Sequence, residues 1–590
     1  CPPPGQGAAR PPPAAPRRLR AGPLRVHFGE GDLRHLRLEG REVIRRIYGA
    51  VRDRNWDTVP GVLSAPRIED GGGSFRVTFS SEHRLREVHF VWQAEITGRT
   101  EGGIRFVFDG EARSTFLRNR IGLCVLHPIP GCAGVPCRAR GVDGAERVLC
   151  FPEHVAAEQP VAGLHDLAGL AHEVAPGVWA ELSFEGDVFE TEDQRNWIDA
   201  SFKTYSTPLR LPFPVEVPAG TRIRQVVQLR LVGPGMPTTD ASAGARAAAG
   251  QDGAEAPVEG RPLAEIGLGM ASHGGPLTPR EIEKLARLGL RHLRADVRLA
   301  RPDWPAALDA AQDQSRALGV PLELAVHLPA AGGALELAAL ADGLRRRRGG
   351  LARLLVLRAG AKSTPAAALR LARTHLGFTE APLGAGTDAD FYQLNQFRPP
   401  QAGADFIHWT MNPQVHAFDL ASLRETPAAI PAQLASAREH FPRRPLVVSP
   451  VTLRPRFNAV ATGPEPPVPP GELPPAVDPR QLSLFGAAWT LAVLKHLSEG
   501  GAESATLFET TGWRGVMETE QGSPLPDRFP SSPGQLFPLF HAIGAVNGLG
   551  GGEVIVTRSS DPLRVESFAL TQKGWACLWL ANLTGERQAA

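Results

Sequence analysis

Residues 321–328 read Pro-Leu-Glu-Leu-Ala-Val-His-Leu, and residues 351–358 read Leu-Ala-Arg-Leu-Leu-Val-Leu-Arg. Each is a short, mostly apolar run, typical of a strand that is buried on both faces of a parallel sheet. Comparable runs recur about every thirty residues, the length of one strand plus one helix. The eight runs begin near Ala264, Arg291, Pro321, Ala352, Pro382, Ala404, Pro445 and Ser504.

Stretches rich in alanine and leucine, with helical character, separate these runs. Eight strands that are each followed by a helix favour a closed (β/α)8 barrel of the TIM type over an open sheet. We place this barrel at residues 263–545 and expect it to be the catalytic domain. The glycines Gly267 and Gly269 lack the third glycine and the acidic residue of a dinucleotide-binding fingerprint, so a Rossmann fold is rejected.

Both ends of the chain indicate β-structure instead. From residue 21 to 233, short runs such as 75–79 alternate apolar and polar residues between glycine-rich turns, which predicts an antiparallel β-sandwich. Residues 546–590 contain three strand-like runs that stop abruptly, and we expect a short C-terminal β-appendage that is truncated. The predicted fold class is therefore multidomain, α/β plus β.

Two segments show no apolar face. Residues 1–20 are rich in proline and arginine and predict a disordered tail, and residues 234–262 are rich in Ala, Gly, Thr and Asp and predict a flexible linker.

Composition excludes several classes of partner. The formal net charge is +2 and the arginines are dispersed, so a nucleic-acid partner is not expected. No apolar run approaches the roughly 18 to 20 residues that span a bilayer, so no membrane partner is expected. With no visible secretion signal, we expect a soluble cytoplasmic protein. The sequence sets no oligomeric state.

Active sites of such barrels lie at the C-terminal ends of the strands, so polar residues just after each apolar run are the candidates. Collected in chain order, they are His273, Arg294, Asp296, His327, Asp388, Asp390, His408, Asn412, His416, Glu509 and Trp513.

Glu509 is the best-placed single carboxylate of this set, since apolar residues flank it at the end of the eighth strand. An apolar surrounding suits a general acid or base that works near neutral pH. The alternative is a structural ion pair with Arg514. We assign catalytic roles to Glu509, His408, Asp388 and Arg294, and substrate binding to the other residues of the set.

The sequence contains no HExxH pattern, and no HxH pattern on the first strand. It therefore predicts no metal and no cofactor.

A family resemblance adds to this prediction. Residues 52–56 (RDRNW) and 193–197 (DQRNW) are near repeats, and residues 122–128 read GLCVLHP. Together with the stretch from Glu192 to Pro212, they resemble the D-apionate lactonase family of bacterial sugar-acid catabolism. The resemblance implies hydrolysis of D-apionolactone to D-apionate, a step in the breakdown of apiose. Trp197 of the second motif is a further candidate for substrate binding, because aromatic faces beside polar groups suit sugars.

Three functions remain open from the residues. The first is a lactonase that acts on a small-molecule sugar lactone. The second is a glycoside hydrolase, in which Asp388 or Asp390 would act with Glu509. The third is a non-catalytic carbohydrate-binding protein, which the density of polar residues at strand ends disfavours.

Overall fold

The computed structural model describes residues 16–233, 260–346, 349–461 and 467–588. These residues belong to two compact units. The first unit contains the described residues up to Gln194 and those from Ser201 to 233. The second contains Arg195–Ala200 and the chain from residue 260 onward, apart from a short stretch at Val460.

The first unit is an antiparallel β-domain, as the alternating sequence predicts. Along Phe75–Leu85 the apolar residues Phe75, Val77 and Phe79 are buried while their neighbours face outward. Side chains from Leu19 to Leu231 form one apolar core. The strands are Arg17–Ala21, Leu24–Gly29, Asp32–Leu38, Arg41–Asp53, Gly61–Leu63, Arg67–Asp70, Phe75–Leu85, Val88–Gly98, Ile104–Ala112, Phe116–Pro128, Pro136–Gly141, Glu146–Cys150, Leu167–Ala175, Val178–Glu185, Phe189–Asp193, Ser201–Ser206, Val215–Val217 and Arg222–Val232.

Two boundary predictions need correction. Residues 17–20 are not a disordered tail, because Arg17–Ala21 pairs with Leu24–Gly29 and buries Leu19 and Ala21 between exposed arginines. Arg261 and Pro262 are not part of a linker, because they pair with Glu553–Ile555. Both strands are too short, or too rich in arginine, to show a period in the sequence. Residues 1–15 and 234–259 lie outside the described residues.

The second unit contains the predicted barrel. Its eight parallel strands are Glu265–Gly269, Leu293–Arg298, Leu322–Leu328, Leu351–Arg358, Leu383–Gly386, Phe406–Met411, Leu446–Val451 and Ser504–Thr511, here called barrel strands 1 to 8. Each pairs with the next, and strand 8 pairs with strand 1, so the sheet is closed. All eight predicted runs coincide with these strands. A further short strand, Gly515–Met517, pairs with strand 8.

Helices lie between the barrel strands. The α-helices are Pro279–Ala286, Trp304–Leu318, Ala334–Arg346, Ala366–Leu376, Phe391–Gln396, Leu420–Glu425, Ile430–His440, Leu484–Glu499 and Pro538–Asn547. Short 3-10 helices are Gln194–Trp197, Gly377–Thr379, Thr426–Ala429 and Pro479–Leu482. Of the helices that the structure describes, none has the length and apolar character needed to cross a membrane. After the last helix, Glu553–Ile555, Val565–Gln572 and Trp575–Asn582 form a small antiparallel sheet with Arg261–Pro262.

Candidate active site

Arg294 lies at the centre of a charged cluster inside the barrel mouth. Asp296 lies two residues after it on barrel strand 2, so the two side chains point to the same face, and their contacts with residues of other strands place them in the barrel interior. Its Nη2 is 3.0 Å from Asp296 Oδ1 and 3.0 Å from Asp388 Oδ1, and its Nη1 donates to Ser449 Oγ at 3.0 Å and to the Ser449 carbonyl. Arg294 is buried. Its guanidinium is thus engaged by protein groups on both terminal nitrogens.

His327 and Arg456 complete this cluster. His327 Nε2 lies 2.8 Å from Asp296 Oδ1. Arg456, which follows barrel strand 7, binds the Asp388 carboxylate and places its Nη1 3.7 Å from Asp296 Oδ2. We call these five residues the arginine–carboxylate cluster: Arg294, Asp296, His327, Asp388 and Arg456.

The two carboxylates of the cluster are held in their charged form. Burial alone would raise their pKa, but the nearby arginine charges outweigh it, so the pKa of Asp388 is lowered and that of Asp296 lies well below its usual range. Ligand atoms of Asp296, His327 and Asp388 lie within 4.8 Å of one another, a spacing that a cation can bridge. Since Arg294 and Arg456 already neutralise both carboxylates, we assign no ion there.

A second polar layer lies below the cluster. Glu323, the second residue of barrel strand 3, is fully buried and accepts hydrogen bonds from Ser449 Oγ and, at 2.9 Å, from Thr506 Oγ1. His292 Nε2 and Arg353 Nε each lie 3.6 Å from Glu323 Oε2. Burial raises the pKa of Glu323, but the charges of His292, Arg294 and Arg353 outweigh this and lower it. The barrel interior therefore carries compensated charge below the arginine–carboxylate cluster as well as within it.

His408 projects from barrel strand 6 and is 1% exposed. Neither ring nitrogen has a hydrogen-bond partner among the described residues. Burial, helped by the positive charge of Arg294, lowers the pKa of His408 to about 3. The imidazole is therefore neutral near pH 7 and a weak base, which suits a hydrogen bond to a ligand better than proton removal.

Glu509 lies on barrel strand 8 just past a bulge. The pairing with strand 1 shifts between Gly267 and Gly269, and Phe508 takes a left-handed conformation with φ of 54°. Glu509 Oε1 is 3.0 Å from Arg514 Nη2, and Glu509 Oε2 accepts from the Ser272 amide at 2.8 Å. The ion pair that was the structural alternative is present, and both carboxylate oxygens are engaged.

The two remaining candidates of this region, His273 and Trp513, contact strand 8 and the chain that follows it. His273 Nε2 lies 2.9 Å from Thr511 Oγ1. The indole of Trp513 donates to Ser523 Oγ at 2.9 Å and its ring lies near Phe529. The contacts of Glu509 and His273 are thus separate from those of the arginine–carboxylate cluster.

A group of aromatic residues follows barrel strands 5 and 6. Trp197, in the short segment Arg195–Ala200 that belongs to the barrel unit, stacks on Tyr392 with ring centroids 4.9 Å apart. The His416 ring meets Trp197 edge-on at 5.0 Å, and its Nδ1 is 2.6 Å from Asp199 Oδ2. The Trp197 side chain also donates a hydrogen bond to Asp390. Asn412, at the end of strand 6, is buried, and its Oδ1 has no partner among the described residues.

The structure thus joins Arg294, Asp296, His327 and Asp388 in one cluster and joins Trp197, Asp390 and His416 in a second. Sequence reasoning missed Arg456 and Glu323. Arg456 lies five residues beyond the end of strand 7 in a loop rich in proline and arginine. The signal for Glu323 in the sequence is a negative charge within the otherwise mostly apolar run 321–328.

Matches to known proteins cover nearly the whole chain. Residues 6–234 match the family model of the D-apionate lactonase N-terminal domain, and residues 266–551 match that of the D-apionate lactonase TIM barrel domain. A curated protein of Brucella anthropi named D-apionate lactonase is 30% identical over 601 residues, which cover 98% of this chain and 94% of that protein. The chain belongs to the D-apionate lactonase family. This member of the family is therefore a hydrolase of the lactonase type.

Two solved structures with a similar fold are distant in sequence. A GH30 endoxylanase from Clostridium papyrosolvens C71 is 11% identical, with 55% of this chain and 82% of that chain covered and a TM-score of 0.35. A family 51 α-L-arabinofuranosidase from Bifidobacterium longum is 13% identical, with 53% and 83% covered and a TM-score of 0.36. Neither likeness bears on function at these values.

Proposed function

We propose that this protein hydrolyses D-apionolactone to D-apionate at the C-terminal face of its barrel. The match to the Brucella anthropi lactonase over nearly the whole of both chains carries the proposal. The arginine–carboxylate cluster supports it, because it gathers positive and negative groups at the barrel mouth where such enzymes bind substrate.

Lactone opening needs a group that stabilises the oxyanion formed when water adds to the carbonyl carbon. Arg294 donates from both terminal nitrogens to protein acceptors, so we assign it to positioning the two aspartates. Arg456 donates from Nη2 to Asp388, while its Nε has no hydrogen-bond partner among the described residues. We therefore assign oxyanion stabilisation to Arg456 rather than to Arg294.

A glycoside hydrolase is the second candidate. A retaining glycosidase uses two carboxyl groups about 5 to 5.5 Å apart, one of which must be protonated to act as an acid. Asp296 and Asp388 are close enough, since ligand atoms of the two lie within 4.8 Å. Both have a lowered pKa beside arginines, so neither suits the acid role. Asp296 and Asp388 are therefore unsuited to be the acid–nucleophile pair of a retaining glycosidase, and the preference for the lactonase rests on the family match.

The test is a pH-stat assay of proton release from D-apionolactone beside a panel of nitrophenyl glycosides, with buffer as background. We expect lactone opening to exceed the cleavage of every glycoside in the panel. Turnover of a glycoside without lactone opening above background would overturn the proposal in favour of a glycosidase.

A further inference from the structure

Asp390 lies in the loop between barrel strand 5 and the helix Phe391–Gln396. The loop follows the C-terminal end of a barrel strand, where catalytic groups of this fold lie. The rings of Trp197 and Tyr392 stack beside it, and both rings are partly exposed. Asp390 is thus next to an aromatic surface that suits the C–H face of a sugar lactone.

The two oxygens of Asp390 have different surroundings. The Trp197 side chain donates a hydrogen bond to the carboxylate. Oδ1 is shielded from solvent and has no hydrogen-bond partner among the described residues. A shielded carboxylate oxygen without a donor is rare in folded proteins and leaves an acceptor position for a ligand or a water molecule.

The charged groups near Asp390 leave it without a direct cation. Lys362, after barrel strand 4, acts on it as a positive charge, but no ion pair within 4.0 Å joins the two. Asp388, two residues earlier, is bound by Arg294 and Arg456. His416 contacts the Trp197 ring and is paired with Asp199 at 2.6 Å.

Burial therefore dominates the titration of Asp390. It raises the pKa of the carboxyl to about 7, while the N–H groups of Gln393, Tyr392 and Trp197 and the charge of Lys362 lower it only in part. A carboxylate of this kind is a matched proton acceptor near neutral pH.

The other carboxylates at the strand ends are less available to act as a general base. Asp296 and Asp388 are neutralised by arginines, and both oxygens of Glu509 are engaged by Arg514 and the Ser272 amide.

We infer that Asp390 is the general base of lactone opening, which takes a proton from the attacking water; this rests on the proposed function. As the water oxygen bonds to the carbonyl carbon, Asp390 Oδ1 accepts one water proton and the carbonyl oxygen becomes the oxyanion. When the oxyanion collapses, the bond between the carbonyl carbon and the ring oxygen breaks. The ring oxygen takes the proton from Asp390, which regenerates the carboxylate, and the new carboxylic acid ionises in solution.

The test compares the full-length protein with Asp390→Asn in the lactone assay from pH 5 to 9. Asparagine keeps the size of the side chain but cannot accept the proton, so kcat should fall by about 10²- to 10⁴-fold. The control is Asp342→Asn, an exposed helix position whose partner is Arg345, and it should retain full activity.

Two further variants separate a base from a structural residue. The wild-type kcat/KM should rise with pH to a plateau, with an inflection near pH 7. Lys362→Glu replaces a positive charge with a negative one and should move this inflection to higher pH, whereas Lys362→Arg should leave it in place. Trp197→Phe removes the indole donor and should also move it upward.

The outcomes distinguish the two proposals. If the wild type opens the lactone and Asp390→Asn keeps its rate within threefold with the same pH profile, the role of Asp390 is overturned and the lactonase assignment stands. An inflection that does not move in Lys362→Glu also contradicts the inference. If the wild type does not open the lactone above background, the proposed function itself fails, and the inference fails with it.

Discussion

Glu323 is fully buried in the barrel unit and Asp390 has a shielded Oδ1 there, yet the two carboxyl groups differ in what surrounds their charge. Glu323 has His292 and Arg353 at 3.6 Å, with Ser449 and Thr506 as donors, and its pKa is lowered. Asp390 has an indole donor and a more distant lysine, and its pKa is raised to about 7. The charged and hydrogen-bonding partners of a buried carboxylate, more than its depth of burial, decide whether it stays charged or can exchange a proton with substrate.

The same contrast separates residues at the barrel mouth. Asp296 and Asp388 both form ion pairs with Arg294 and Arg456, so their negative charge is already neutralised in the free protein. We expect such groups to fix geometry, whereas a carboxylate that pairs with no arginine among the described residues, such as Asp390, is available as a proton acceptor. Four substitutions test this distinction between structural and catalytic groups, and they follow in order of decreasing expected effect.

The largest effect is expected for Glu323→Gln. The amide removes the fully buried negative charge that faces Arg353 at 3.6 Å, so the free energy of unfolding should fall by about 3 to 5 kcal/mol. Denaturant unfolding followed by circular dichroism measures it. Glu503→Gln is the control, because Glu503 contacts the same Arg353 at 3.4 Å but is half exposed, and it should cost less than about 1 kcal/mol. Equal effects of the two substitutions would contradict the buried-charge account.

The second expected effect is on catalysis. Arg456→Met removes the proposed oxyanion donor and should lower kcat by about 10²- to 10³-fold, with a smaller loss in Arg456→Lys. Arg454→Met is the control from the same loop, since Arg454 contacts Asp478 at 3.5 Å instead of the cluster. A rate for Arg456→Met equal to that of the control would remove Arg456 from the mechanism.

The third effect is a gain in stability. The folded-state pKa of Asp390 is raised, so the folded protein favours the protonated form and loses stability as pH rises from about 4, where an unfolded Asp titrates, through 7. Asn cannot ionise, so Asp390→Asn should be more stable than the wild type at pH 8 and not at pH 4. The gain should be on the order of 1 kcal/mol, because partial exposure reduces the full effect. Thermal unfolding at the two pH values measures this gain. An equal shift in melting temperature at both pH values would contradict the predicted loss of wild-type stability as pH rises.

The smallest effect is expected for Glu509→Gln. The amide oxygen can still accept from the Ser272 amide or from Arg514, and in this account Glu509 does not take the proton. We expect the lactone-opening rate to stay within about threefold of the wild type. A loss of about 10² or more would transfer the base role from Asp390 to Glu509.

The barrel was predictable because its strands are buried on both faces and read as apolar runs at a regular spacing, such as 321–328 and 351–358. The short strands Arg17–Ala21 and Arg261–Pro262 were missed because so few residues show no period. Polar residues at strand ends were found by position alone.

The roles of those residues depend on contacts between distant parts of the sequence. Arg294 meets Ser449 and Asp388, which are 155 and 94 positions away, and these pairs exist only once the barrel has closed. Asp390 was recognised as polar and well placed, but its titration depends on Trp197, which lies in a distant segment of the chain. Arg456 sits in a loop whose composition resembles many other arginine-rich stretches here.

The most direct test of the central claim needs no substrate. An infrared difference titration of the wild type against Asp390→Asn isolates the carboxyl band of this one residue as pH changes. The account predicts that a carboxyl group titrates near pH 7 in the wild type and is absent from the variant. If the difference spectrum instead shows Asp390 losing its proton near pH 4, as an exposed aspartate does, the account is contradicted.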